Sequence, residues 1–229
     1  MVYANTRSGI FLSRPNRFIA HVEVGGETVV AHVRNTGRCR ELLVPGARVV
    51  LQRSDDPARK TNYSLIAVWK GPRLINMDSQ APNKVFLEHL QAGQFIAGIT
   101  HIKSEATYGG SRFDFYVEAG VRKIFIEVKG VTLEKDGVAL FPDAPTERGV
   151  KHLNELIHCV RAGYEAQVVF VIQMRNVRYF TPNINTHPEF GKALAAAEHA
   201  GVTIAALDCS VTENSLHIRD TVPIQLIST

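Results

Sequence analysis

The stretch Val168-Val169-Phe170-Val171-Ile172 constrains the fold more than any other part of this chain. A strand made only of β-branched and aromatic residues has no polar face to turn toward water, so it must be covered on both sides. The longest uncharged apolar run, residues 166–174, is far too short to cross a bilayer. Covering such a strand takes helices, and the flanking segments supply them. Residues 147–162 and 189–200 carry helical patterns, and 202–207 is a second strand apolar on both faces. Upstream, 84–91 reads as a helix. Residues 102–108, 112–118 and 123–129 read as three strands joined at Gly109-Gly110 and Gly120. Strands interleaved with helices predict an α/β (mixed α+β) layered domain with a mixed sheet.

Residues 17–77 have a different texture. Segments 18–24 and 28–33 flank Gly25-Gly26 as a hairpin, Pro45-Gly46 turns into 47–51, and Gly71-Pro72 separates Tyr63–Lys70 from 74–77. Short strands without a helix predict a small barrel of the oligonucleotide-binding (OB) kind, with an SH3-like barrel as the nearest competitor. The polar segment 78–83 marks the boundary, giving domains 1–78 and 79–229.

Charge follows the same division. Residues 1–78 hold 12 Lys and Arg against 6 Asp and Glu, and ten of the twelve are arginine; the remainder holds 14 against 16. Arginine's planar fork suits phosphate, so the barrel is expected to meet a polyanion. Arg34, Arg38 and Arg40 surround Asn35-Thr36-Gly37 and are candidates to grip a nucleic-acid backbone without reading its sequence. The same glycine also fits a simple turn with positive φ. Three widely spaced cysteines without a CxxC pair argue against a disulfide framework or zinc site. With no apolar leader in residues 1–20, a cytoplasmic protein without membrane attachment is expected.

Strand alternation places the chemistry. In 112–118, Phe113, Phe115 and Val117 form an apolar row and leave Arg112, Asp114, Tyr116 and Glu118 opposite. In 123–129, Ile124, Ile126 and Val128 leave Phe125, Glu127 and Lys129 opposite. With the apolar rows of a hairpin aligned, Asp114, Glu127 and Lys129 share a face. Two carboxylates and a backbone carbonyl such as that of Val128 are hard oxygen ligands for Mg²⁺ or Mn²⁺. The metal would activate water, and Lys129 would stabilise the developing charge. Asp … Glu-x-Lys is the core of the PD-(D/E)xK nucleases. Glu88 and Glu105 are the two candidates for a further acidic ligand.

Several longer blocks carry a family resemblance. Phe141-Pro142-Asp143-Ala144-Pro145-Thr146-Glu147-Arg148-Gly149-Val150-Lys151-His152-Leu153, Asn35-Thr36-Gly37-Arg38-Cys39, Lys103-Ser104-Glu105, Arg112-Phe113-Asp114-Phe115 and Glu127-Val128-Lys129-Gly130-Val131-Thr132-Leu133 together resemble the sugar fermentation stimulation protein A family. The resemblance implies an N-terminal OB barrel, a C-terminal restriction-endonuclease-like domain and non-specific DNA binding. It also implies a regulatory role in sugar metabolism, for which no residue here supplies chemistry. The residues and the resemblance lead to one expectation: a DNA-binding protein, with RNA as a further partner class, and a metal-dependent phosphodiesterase site of Asp114, Glu127 and Lys129. The alternatives are a DNA-binding regulator with a silent site and a small-molecule hydrolase.

The hallmark block also reads physically. Thr146 is an N-cap and Glu147 complements the helix dipole. Val150, Leu153, Ile157 and Val160 form an apolar stripe, while Lys151, Glu155 and His158 lie on another face. Arg112, Arg148, Lys151 and His152 are candidates for phosphate contact, His152 also for proton transfer or plain helix hydrogen bonding. Arg175, Arg178, Tyr179 and Phe180 suit either base stacking or packing onto the core.

Overall fold

The computed structural model describes residues 1–35 and 37–226. Its first six strands are β1 (Thr6–Asn16), β2 (Ile19–Val24), β3 (Glu27–Val33), β4 (Arg48–Arg53), β5 (Tyr63–Lys70) and β6 (Arg73–Asn76). They pair in the order β3-β2-β1-β4-β5-β6, and a parallel β3–β5 contact closes the first five into a barrel. The OB-like barrel is therefore present, but its membership differs from the expectation. β1 belongs to it, whereas residues 74–77 form a hairpin arm on β5. Gly9, Pro15 and two arginines hide the strand period of β1, and only Phe11 is deeply buried there. Gly9 is required by packing: a Cβ would lie 2.6 Å from Val22 Cγ1 and 2.7 Å from the Glu23 carbonyl, where β1 crosses β2.

The rest of the chain runs α1 (Ala81–Gln91), β7 (Ile99–Tyr108), β8 (Ser111–Ala119), β9 (Arg122–Val131), β10 (Leu133–Lys135), β11 (Val138–Phe141), α2 (Glu147–Arg161), β12 (Glu165–Ile172), β13 (Tyr179–Pro182), α3 (Pro188–His199), β14 (Thr203–Thr212) and β15 (Ser215–Thr221). The main sheet has the order β15-β14-β12-β9-β8-β7, with β12 parallel to both neighbours and the other pairs antiparallel. The all-apolar strand is thus the interior β12. α1 covers one face through Val85, Phe86 and Leu90, and α2 and α3 cover the other through Leu153, Leu156 and Phe190. Sequence patterning misses β15 and the small sheet β10-β11-β13, whose strands are too short to show a period. No helix among the described residues is long and apolar enough to cross a membrane.

α2 starts where Thr146 predicts, its hydroxyl accepting the Gly149 N–H at 3.1 Å. Its buried face is rotated from the expected stripe. Gly149, His152, Leu153, Leu156, Ile157 and Cys159 are buried, while Val150 and Val160 are only partly so. All three cysteines are free and buried.

Two polar clusters fix the barrel to the sheet. Asp78 is fully buried and accepts from Arg34 at 3.1 Å and from the Gln80 N–H at 3.0 Å. Gln173, at the end of β12, donates to Asn76 Oδ1 and to the Asp78 carbonyl. At the other cluster, Glu134 on β10 pairs with Lys70 at 2.7 Å and Arg73 at 2.8 Å, both from the β5–β6 hairpin. Burial works to raise the Glu134 pKa. The Lys70 hydrogen bond, the Gly137 N–H and Arg73 outweigh it and bring the carboxyl down to about 2.

A carboxylate depressed in the folded state stabilises above its unfolded pKa and loses that contribution as pH falls toward the folded value. After a discount for solvent screening of the partly exposed Lys70 and Arg73, Glu134→Gln is therefore expected to cost about 2 kcal/mol at pH 7, the gap from wild type closing between pH of roughly 4 and 2. Urea unfolding across that range measures it. A gap independent of pH would assign the loss to packing instead.

Candidate functional site

β9 lies between β12 and β8 in the middle of the sheet. Ile124, Ile126 and Val128 face α1, and alternation turns Glu127 toward α2. Glu127 is only 4% exposed. Its Oε1 accepts from Lys129 Nζ at 2.5 Å and from His152 Nδ1. His152 Nε2 accepts from Arg148 Nε at 3.3 Å, which assigns the ring proton to Nδ1. Burial works to raise the Glu127 pKa, but the His152 hydrogen bond and the Lys129 charge outweigh it and hold the carboxylate below its ordinary range. The second oxygen, Oε2, is buried and accepts no hydrogen bond among the described residues.

Asp114 sits where the β8–β9 ladder stops. Regular pairing runs from Ala119↔Arg122 to Phe115↔Ile126. At the next rung, which would set Asp114 opposite Glu127, the Asp114 side chain replaces the backbone. Its Oδ2 accepts the Val128 N–H at 2.7 Å, and its Oδ1 accepts from Asn83 of α1 at 2.6 Å. The strand changes face here. Phe115 packs against Phe86 of α1, whereas Phe113 lies against Phe125 and His152 on the α2 side. The expected apolar row Phe113-Phe115-Val117 is thus broken at Asp114. On β7, Glu105 occupies the rung facing Asp114, between Ser104↔Phe115 and Ala106↔Phe113, with a left-handed φ of 55°. An irregularity in both strands at one rung is how a sheet re-aims a side chain. Burial, then the nearby Glu127 charge, raise the Asp114 pKa against the Val128 N–H, Asn83 and Lys129.

Of the two further acidic candidates, Glu105 lies beside Asp114 in register and makes an exposed ion pair with Arg112 at 3.6 Å. Glu88 does not belong to this site. It follows Asn83 by five residues, about 140° around the helix, and pairs with the Met1 amino group at 2.5 Å. Among the described residues, no three His, Cys, Asp or Glu side chains form a metal cage. The donor set is smaller: two carboxylates at one rung, one raised in pKa by burial and then by its neighbour's charge, the other with an unpartnered buried oxygen. A divalent cation fits such a pair, because it would partner Oε2 and cancel the repulsion.

The predicted phosphate-binding groups divide. Arg38, Arg40 and Arg148 are exposed. Lys151 is held on the Gly110 carbonyl at 2.8 Å, and His152 is buried on Glu127. Arg34 is taken up by Asp78, so its role is in the domain junction. Sequence reasoning missed Arg14, which donates to the carbonyls of Arg17, Asn35, Gly37 and Arg38 and shapes the loop bearing Arg38. Nothing in the sequence distinguishes it from Arg7, the other arginine of β1. The turn reading at Thr36-Gly37 depends on Thr36, which lies outside the described residues. Phe180 is a core residue stacked on Phe170 at 4.1 Å and Arg175 pairs with Asp220, which removes these two from the base-stacking option, whereas Arg178 is exposed and lies 5.7 Å over the half-buried Tyr179 ring.

The fold and this geometry define a class: an OB barrel joined to a mixed-sheet domain that carries Asp … Glu-x-Lys on adjoining strands. Residues 12–77 match the model of the SfsA N-terminal OB domain, and residues 80–215 match that of the sugar fermentation stimulation protein RE domain. The chain belongs to the sugar fermentation stimulation protein family. It is 64% identical over 227 residues to the homolog from Desulfitobacterium hafniense strain Y51, covering 99% of each chain. It is 58% identical to that from Clostridium beijerinckii, covering 99% of this chain and all of the relative. The solved structure of Pyrococcus furiosus SfsA in complex with Ca²⁺ superposes with a TM-score of 0.89 at 29% identity over 98% of both chains.

The raised pKa of Asp114 means that its ionised form is disfavoured in the fold, so the metal-free protein loses stability as pH rises through that pKa. In the presence of EDTA, Asp114→Asn is expected to melt above wild type at pH 8, the advantage shrinking as the pH is lowered. A variant less stable than wild type at pH 8 would mean that the Val128 and Asn83 hydrogen bonds dominate.

Proposed function

We propose that this protein is a metal-dependent phosphodiesterase acting on DNA, whose backbone its barrel grips without reading sequence. The observation that carries the reading is the unpartnered, buried Oε2 of Glu127 beside Asp114 and Lys129. Asp114 and Glu127 would hold the cation, Mg²⁺ or Mn²⁺, with Glu105 at the adjoining rung as the third acidic group. When bound, it supplies an activated water and charge neutralisation at the phosphate. The Ca²⁺ held by the Pyrococcus furiosus relative supports a divalent site in this family.

The chain's own residues do the rest. His152 holds the Glu127 carboxylate in place through Nδ1–H and leaves Oε2 open. Lys129, tethered to Oε1, has the charge and reach to meet the negative charge that develops on a phosphate oxygen. Arg148 extends that field to solvent, and exposed Arg38 and Arg40 on the barrel grip backbone phosphates at a distance from the chemistry. Three buried free thiols suit a reducing compartment, the cytoplasm.

Incubation of single-stranded and double-stranded DNA, tested separately, with Mg²⁺ or Mn²⁺ is expected to give cleavage of at least one that EDTA abolishes, with a loss of roughly 10²–10³ in Lys129→Ala. Cleavage unchanged in that variant, or none with any metal, defeats the hydrolytic reading and leaves a DNA-binding protein with a silent site. Separately, Arg38→Ala with Arg40→Ala is expected to weaken DNA binding uniformly across sequences. The slope of log affinity against log salt should shrink by about one for each phosphate no longer neutralised.

A further inference from the structure

The hallmark loop of residues 141–146 takes no part in the site above, yet it walls a cavity of about 330 Å³ at the barrel–sheet junction. The floor is the end of β9, beginning at Gly130, the residue after Lys129. Gly130 packs so closely that a Cβ would lie 2.7 Å from both Pro82 and Gln173. The opposite wall is the barrel loop at Asn35 and Gly37. Along α2, Thr146 at the cavity precedes His152 at the metal centre by six residues, about 9 Å of helix. Arg148 lies exposed between them.

The lining has an unusual charge for a protein that meets phosphate. No Lys, Arg or His faces the cavity among the described residues, and its one ionisable group is Asp143. Asn35 donates to the Met77 carbonyl, Ser79 to the Arg34 carbonyl, and Gln173 to Asn76 and Asp78. Asp143 makes no hydrogen bond or ion pair among the described residues and is half-buried. Its Oδ2 lies so close to Gly37 that a Cβ there would collide with it. A cavity with one acceptor carboxylate, apolar walls from Phe141 and Leu140, and no cation repels phosphate and suits a flat neutral group rich in N–H donors.

We propose that this cavity houses an unpaired nucleobase of the substrate strand, one nucleotide from the scissile phosphate, with Asp143 accepting from its N–H edge. The proposal rests on the phosphodiesterase reading for its substrate and names that substrate as single-stranded DNA. Guanine fits best, because it alone presents two adjacent N–H donors, N1–H and the 2-amino group, to one carboxylate. A second feature, on the barrel, agrees. Phe18 is 44% exposed with the Arg17 guanidinium 4.6 Å over its ring, a surface on which an unpaired base can stack.

Nucleoside binding to the metal-free full-length protein tests this without any cleavage. In NMR-detected titrations, 2′-deoxyguanosine is expected to bind and shift resonances of residues 130–132 and 141–146, with deoxyinosine and thymidine weaker. Asp143→Asn should weaken deoxyguanosine binding roughly 10–100-fold. Ala144→Leu, which fills the cavity from its rim, should do the same and serves if the first variant misfolds. Absence of nucleoside binding, or binding that both variants leave unchanged, overturns the base pocket. Because metal-dependent cleavage by wild type and Lys129→Ala is measured separately, that result leaves the hydrolytic reading standing, and the reverse holds equally.

Discussion

A carboxylate buried in the central strand of a sheet has to be compensated, and the arrangement around Glu127 follows from that need. Its charge is retained because His152 and Lys129 both reach Oε1, and either contact alone would leave an ion largely stripped of water. The need for a donor at that point explains why α2 buries a histidine among leucines and why its apolar stripe is rotated from the one the pattern suggests. It also explains the one-sidedness of the cluster. Both donors approach the same oxygen, so the other is left buried and unpartnered, and the Glu127 charge adds to the burial that disfavours the ionised form of Asp114. Local energetics are given up where a ligand would restore them.

The second constraint is how the barrel meets the sheet. The junction is held by buried polar residues more than by apolar contact alone. Asp78, Arg34, Asn76 and Gln173 interlock on one side, and Glu134 with Lys70 and Arg73 on the other. Hydrogen-bond geometry is directional, so such clusters set an orientation as well as an affinity. The orientation brings the barrel loop at Asn35 and Gly37 against Asp143 and leaves a cavity beside the end of β9.

Much of this was legible in the residues. β12 and the start of β14 announced themselves by uninterrupted apolar runs, the β8–β9 hairpin by alternation, and α2 by Thr146 and Glu147. Glu127 and Lys129 were placed by the same alternation, and the family blocks fixed the domain order. What escaped was set by tertiary context. β1 hides behind Gly9 and Pro15, and the place of Gly9 is dictated by the crossing with β2. Glu88 and Glu105 looked alike in sequence and were separated only by helix phase and by a strand irregularity at one rung. Arg34 and Arg38, four residues apart, differ entirely in role because a buried carboxylate claims one of them. Periodicity reports which face a side chain takes, and cannot report which partner lies there.

The outer strands of the main sheet carry a further consequence. β15 is met by the chain's first residues, with Val2 bridged to Ser215 and the Tyr3 N–H bonded to the Asn214 carbonyl at 2.8 Å. β7 is distorted at Glu105 and lined with Lys103 and His101. Neither border offers a flat row of free amides to another strand, so end-to-end stacking of copies into fibres is discouraged on both flanks. The kink that aims Asp114 therefore also serves solubility, and smoothing it by substitution would cost the protein twice.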